Sequence, residues 1–137
     1  MRRKNFRATT YAVVVLAVMF SSLESSQARD YRVRKKTGGL TFDVRINRNP
    51  PVLGDNEIRI AIKDAQGNPV KGLRVFVNYY MPPMPGMPPM NYNIPAKAEN
   101  TEYRATMDLI MTGPWNIVLR LKYRGRMMKI VFPIDVR

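Results

Sequence analysis

The chain has 137 residues, 23 of them Lys or Arg and 10 Asp or Glu, with neither Cys nor His. These absences exclude disulfides, thiolate metal sites, cysteine nucleophiles and a lipoprotein anchor, together with Ser-His-Asp chemistry and His-liganded zinc or Cu(II) sites. An apolar fraction of 45% supports a packed core in one domain, and a formal charge of +13 makes anionic partners a class to weigh.

Residues 1–28 have the pattern of a secretory signal peptide. Arg2, Arg3, Lys4 and Arg7 form a positive start, residues 11–20 are uniformly apolar, and Ser26-Gln27-Ala28 offers small residues where cleavage requires them. Ten apolar residues are short for an uncleaved span, which needs ~20. The expectation is export to the periplasm, with no stable membrane span once the signal is removed. The chain then keeps a charge of +10, because this segment takes four basic residues and one acidic residue with it.

Residues 29–38 are polar and basic, with Arg32, Arg34, Lys35 and Lys36 close together, and are expected to form a flexible leader. From residue 39 the pattern alternates with period two. Leu40, Phe42, Val44 and Ile46 mark the dry face of one strand, and Ile58, Ile60 and Ile62 that of a second. Asp64-Ala65-Gln66-Gly67-Asn68-Pro69 is a turn cluster, followed by Leu73, Val75, Val77 and Tyr79. A short strand near Ile94 is followed by Tyr103, Ala105, Met107 and Leu109. Trp115, Ile117, Leu119 and Leu121 then lead through a tight Arg124-Gly125 turn to Met128, Ile130, Phe132 and Ile134. No segment carries a helical stripe. The fold class is all-β: an immunoglobulin-like antiparallel sandwich of about seven strands over residues 39–137, with a small closed barrel as the alternative. Pro133 inside the last pattern points to an edge or a bulge.

Arg45, Arg59, Lys63, Arg74, Arg104, Arg120, Lys122 and Lys129 fall on the wet phases of these strands. They are dispersed, aromatic platforms are few and no nucleic-acid motif is present, so nucleic acid is not an expected partner. Binding of anionic envelope polymers through the net charge is a further reading, and it predicts strong salt dependence.

The loop over residues 81–92 is the unusual segment. Residues 81–90 read Met-Pro-Pro-Met-Pro-Gly-Met-Pro-Pro-Met, with Met81, Met84, Met87 and Met90 at every third position. Pro85-Gly86 is the signature of a type II turn, which brings the Cα atoms of Met84 and Met87 within ~7 Å. The repeat then folds into a Pro-stiffened hairpin carrying four thioethers, a soft ligand set that favours Cu(I) or Ag(I). Met111 is a candidate fifth thioether. Two other readings stand beside this one: an apolar loop that caps the core, and a docking surface for a protein partner, with Tyr80, Pro85 and Tyr92 as contact residues. Trp115 reads as a core tryptophan, with a cation–π lid over a soft ion as the alternative. The carboxylates are scattered, no acid–base couple stands out, and an enzyme is not expected.

Five segments, taken in order, resemble the YtkA-like domain family and, more distantly, FixH-like proteins. They are residues 51–56 (Pro-Val-Leu-Gly-Asp-Asn), 64–70 (Asp-Ala-Gln-Gly-Asn-Pro-Val), 84–88 (Met-Pro-Gly-Met-Pro), 103–105 (Tyr-Arg-Ala) and 111–115 (Met-Thr-Gly-Pro-Trp). The resemblance spans about residues 38–136 and implies a compact immunoglobulin-like domain of the cell envelope. It also implies a link with heavy-metal efflux or copper-oxidase assembly, and hence an envelope protein partner. Among metal candidates it carries over only Met84 and Met87. Relatives often place His beside this motif and this chain has none, so imidazole-dependent roles do not transfer. The functional expectation is a non-catalytic periplasmic module that captures Cu(I) or Ag(I) at Met81, Met84, Met87 and Met90. The alternative is an interaction module that uses the same loop as an apolar docking surface without metal.

Overall fold

The structure is a computed structural model that describes residues 30–137; the signal-peptide reading of residues 1–28 falls outside the described residues. Alternating apolar residues do here what period-two patterning dictates: one face of each strand is buried and the other is wet. There are eight strands, β1 (Tyr31–Thr37), β2 (Leu40–Ile46), β3 (Gly54–Lys63), β4 (Val75–Tyr80), β5 (Asn91–Glu99), β6 (Glu102–Leu109), β7 (Gly113–Tyr123) and β8 (Arg126–Val136). All pair antiparallel, in the order β1-β2-β3-β6-β5-β4-β7-β8, and no helix occurs among the described residues.

The last seven strands reproduce the immunoglobulin constant-type arrangement: β2-β3-β6-β5 form one layer and β4-β7-β8 the other. The β4–β5 hairpin stays paired across the corner, from Val75 opposite Ala96 to Tyr80 opposite Asn91, so the two layers are one continuous sheet. At its far edges β1 and β8 approach each other. The Tyr31 hydroxyl donates to the Pro133 carbonyl at 3.0 Å, and its ring stacks 6.2 Å from Phe132. The result lies between a sandwich and a nearly closed barrel.

Three expectations are corrected. The segment read as a flexible leader is mostly a strand: β1 pairs along its whole length with β2, from Tyr31 opposite Ile46 to Thr37 opposite Leu40. Its inward residues Tyr31 and Val33 pack on the core, while four cations on seven residues hid the strand signal. The short strand near Ile94 is a nine-residue strand. Its alternation is weak because it turns the corner between layers and buries no continuous face. The pattern that began at Leu73 starts as a strand only at Val75, since the Leu73 amide donates to the Tyr103 hydroxyl instead of to a neighbouring strand.

The core runs the length of the barrel and includes Phe42, Ile60, Val77, Tyr103, Met107, Trp115, Ile117 and Phe132. The basic side chains expected on wet phases lie outward. Pro133 sits exposed on β8, the terminal strand of the order, where its missing N–H costs no ladder bond. Asn56 is fully buried and organises the connection into β3: its amide donates to the Val52 and Gly54 carbonyls at 2.6 and 2.9 Å, and its carbonyl accepts the Val52 N–H at 3.1 Å.

The methionine hairpin as candidate functional site

β4 and β5 deliver the Met/Pro segment as a ten-residue hairpin at one end of the barrel. The Met81 N–H donates to the Met90 carbonyl at 3.1 Å and closes its base. The Met87 N–H donates to the Met84 carbonyl at 3.2 Å and closes its tip, with Gly86 at φ 76°. This is the expected type II turn: Pro85 presets the first central residue and Gly86 supplies the positive φ that any Cβ would oppose. Prolines on both sides of the tip remove amide donors and stiffen the arms.

The four thioethers do not form one exposed group. Met81 is 6% exposed and belongs to the core; an added Cβ on Gly113 would lie 3.4 Å from its Cε. Met90 is half-buried against the core, as is Met111. Met84 and Met87, each 37% exposed, are held side by side by the tip turn. The register explains the split. Met81 continues the inward phase of Val75, Val77 and Tyr79, whereas the tip residues extend beyond the sheet. The quartet expected from the threefold spacing thus becomes an accessible pair at the tip and an anchoring pair at the base.

Beneath the hairpin lies an aromatic floor. Tyr79 stacks on Tyr92 at 5.2 Å between ring centroids, and Trp115 lies 5.9 Å from Tyr79 and 6.3 Å from Tyr92. Trp115 is fully buried and its indole N–H donates to the Met111 carbonyl at 2.9 Å. It is a core residue, and the lid reading does not fit a ring with no exposed face. Burial pushes the Tyr79 phenol above its ordinary value, against a smaller lowering by the Asp108 backbone, so it stays neutral. Of the residues expected to contact a partner, Pro85 and Tyr92 are exposed and Tyr80 is half-buried.

One positioning residue was not legible in the alternation. Asn78 lies on the outward phase of β4 yet is buried; its amide donates to the Asn91 side chain at 2.5 Å and to the Tyr92 carbonyl at 2.7 Å. It straps the returning arm of the hairpin to β4. Leu53 and Ile110 add exposed apolar surface at the same end of the barrel, since they adjoin the paired residues Gly54 and Leu109. Among the described residues no three carboxylates converge on a metal-sized space. The donor chemistry of this end is therefore thioether and aromatic, which suits soft ions and apolar partners rather than hard cations.

An immunoglobulin-like β-domain that carries a proline-bounded methionine hairpin at one pole defines the class of this protein. The chain belongs to the YtkA-like family, whose profile matches residues 34–120, from within β1 to within β7 and including the whole hairpin. No curated protein and no solved structure matches it significantly.

Proposed function

We propose that the protein is a non-catalytic binding module of the cell envelope that captures Cu(I) or Ag(I) at Met84 and Met87 and passes the ion to a protein partner. The observation that carries this reading is the tip turn. It closes Met84 and Met87 into the first and last positions of one turn on a stiffened hairpin, both partly exposed, with no titratable ligand beside them in the repeat. Thioethers are soft and neutral, so they prefer monovalent coinage-metal ions and bind without releasing a proton. Met90 packs against the core at the base of the same hairpin. Met81 serves as the anchor that seats it. Two exposed donors also leave coordination positions free for ligands from a recipient protein, which suits exchange rather than storage.

A second reading is favoured by Leu53 and Ile110, which extend the exposed apolar surface beyond the hairpin. On that reading the pole is a docking surface for an envelope protein and Met84 and Met87 contribute only apolar area.

An anaerobic Cu(I) competition titration separates the two. The metal reading predicts stoichiometric binding by the native domain and its loss in Met84→Leu/Met87→Leu, which preserves size and apolarity but removes sulfur. No binding by the native domain would retire the metal reading and leave the docking surface.

A further inference from the structure

The pole opposite the methionine hairpin has the reverse character. Charge is unevenly distributed over the barrel. Residues 31–37 carry four cations and residues 109–134 carry five, and neither stretch contains an Asp or Glu. Among the described residues only Arg34 of these nine has an ion-pair partner, Asp43.

The contrast with the other layer is informative. Across β2, β3 and β6, Arg45, Arg59 and Arg104 stand in one cross-strand row, an unfavourable arrangement taken alone. There Glu57, Glu99 and Glu102 pair with them and relieve the repulsion. On β7 and β8, Arg120 stands directly opposite Lys129 with no carboxylate between them. The hairpin just beyond adds Arg124 and Arg126. Arg124 itself sits at φ 48°, a conformation costly for a side chain of its size, and lies over the Tyr123 ring at 5.2 Å.

These cations border a cavity of about 590 Å³ between the Gly38 turn and this hairpin, lined by Thr37, Gly38, Tyr123, Arg124, Arg126 and Lys129, among others. The surface beside it is not simply basic. Lys122 lies opposite Met127, which is 71% exposed, and the next outward rows bring exposed Phe76 beside Arg120 and exposed Val131 on β8. Cations interleaved with protruding apolar side chains match a membrane interface, where phosphates meet the cations and the apolar groups reach the acyl boundary. A soluble polyanion gives Met127 nothing to bury against. The hairpin also lies beyond residues 34–120, the part of the chain matched by the family.

We propose that the Tyr123–Lys129 hairpin and the adjoining ends of β7 and β8 dock on an anionic phospholipid surface, with lipid phosphates in the cavity beside Arg124, Arg126 and Lys129. The methionine hairpin, at the other end of the eleven-residue strand β7, then faces away from the bilayer toward its partner.

The test is flotation of residues 30–137, which carry all eight strands and the core of the described residues, with vesicles of phosphatidylglycerol in phosphatidylethanolamine and with vesicles of phosphatidylcholine alone. Binding is expected only to the anionic vesicles and should weaken sharply at high salt. Arg124→Gln/Arg126→Gln/Lys129→Gln should lower the partition coefficient on the order of a hundredfold. Arg48→Gln/Arg59→Gln/Lys97→Gln, exposed cations away from that face and with the same change in net charge, should lower it far less. Met127→Ser should weaken vesicle binding about tenfold and leave binding to inorganic polyphosphate unchanged. Thermal melts of each variant exclude unfolding. Equal losses in the two triple variants, binding to polyphosphate as tight as to vesicles, or no vesicle binding by the native domain would each overturn the proposal.

Discussion

The four methionines of the repeat share a residue type and a spacing but have different roles. Met81 lies in the core beside Gly113, so Met81→Leu is a near-isosteric apolar exchange. It should cost less than about 1.5 kcal/mol and leave Cu(I) affinity unchanged, which a thermal melt and the competition titration check together. Met84→Leu and Met87→Leu should do the opposite, with unchanged stability and lost affinity. Asn56 provides a purely structural counterpart. Its side chain satisfies three backbone groups of a buried connection, so Asn56→Ala should cost ~1–3 kcal/mol, seen as a lower urea midpoint at constant slope. The Pro-Val-Leu-Gly-Asp-Asn segment carried part of the family resemblance. Its structural basis is visible here: Gly54 takes φ 86° so that the Asn56 amide can close the loop. Roles of this kind are poorly legible in a sequence, because alternation reports which side of a strand a residue faces and not what covers it. Asn78 shows the difficulty most clearly, being outward by phase and buried in fact.

At the scale of elements, the methionine hairpin was the most legible part of the molecule and β1 the least. Pro85-Gly86 specifies its own turn through local backbone sterics, so the tip could be placed from two residues. The identity of the accessible thioethers depended instead on where β4 ends, which the threefold spacing does not encode. Gly86→Ala tests the turn. The new Cβ opposes φ 76°, so the tip should loosen and Cu(I) affinity should fall about tenfold, while the melting temperature, set by the core, changes little. Unchanged affinity would show that the turn does not organise the donors. β1 escaped the pattern because strand propensity was masked by Arg32, Arg34, Lys35 and Lys36, whose charges remain in solvent while the backbone pairs with β2. Removing residues 30–37 should therefore lower the melting temperature by several degrees and expose the β2 edge to self-association. Size-exclusion chromatography and a thermal melt would show this. A flexible leader could be removed without either effect.

Taken whole, the molecule is a β-domain with two unlike poles, one thioether and aromatic, the other basic and amphipathic. The all-β class and the immunoglobulin order were readable because a period-two pattern leaves few alternatives for burying one face of each strand. The asymmetry of charge was not, since dispersion along the sequence concealed that every strand carboxylate but Asp135 lies on one layer. The two poles also differ in their response to solution conditions. Thioethers do not titrate, so Cu(I) affinity should be flat between about pH 7 and pH 5 and insensitive to salt. A pronounced loss over that pH range would count against a thioether ligand set.

The most direct test of the central claim is a titration of Ag(I) into protein labelled with carbon-13 at the methionine methyl groups, followed by two-dimensional NMR. The Met84 and Met87 methyls should shift in proportion to the added ion and saturate at one equivalent, while the buried Met81 and Met107 methyls stay in place. Equal shifts at Met81, or no shift at Met84 and Met87, would contradict that claim.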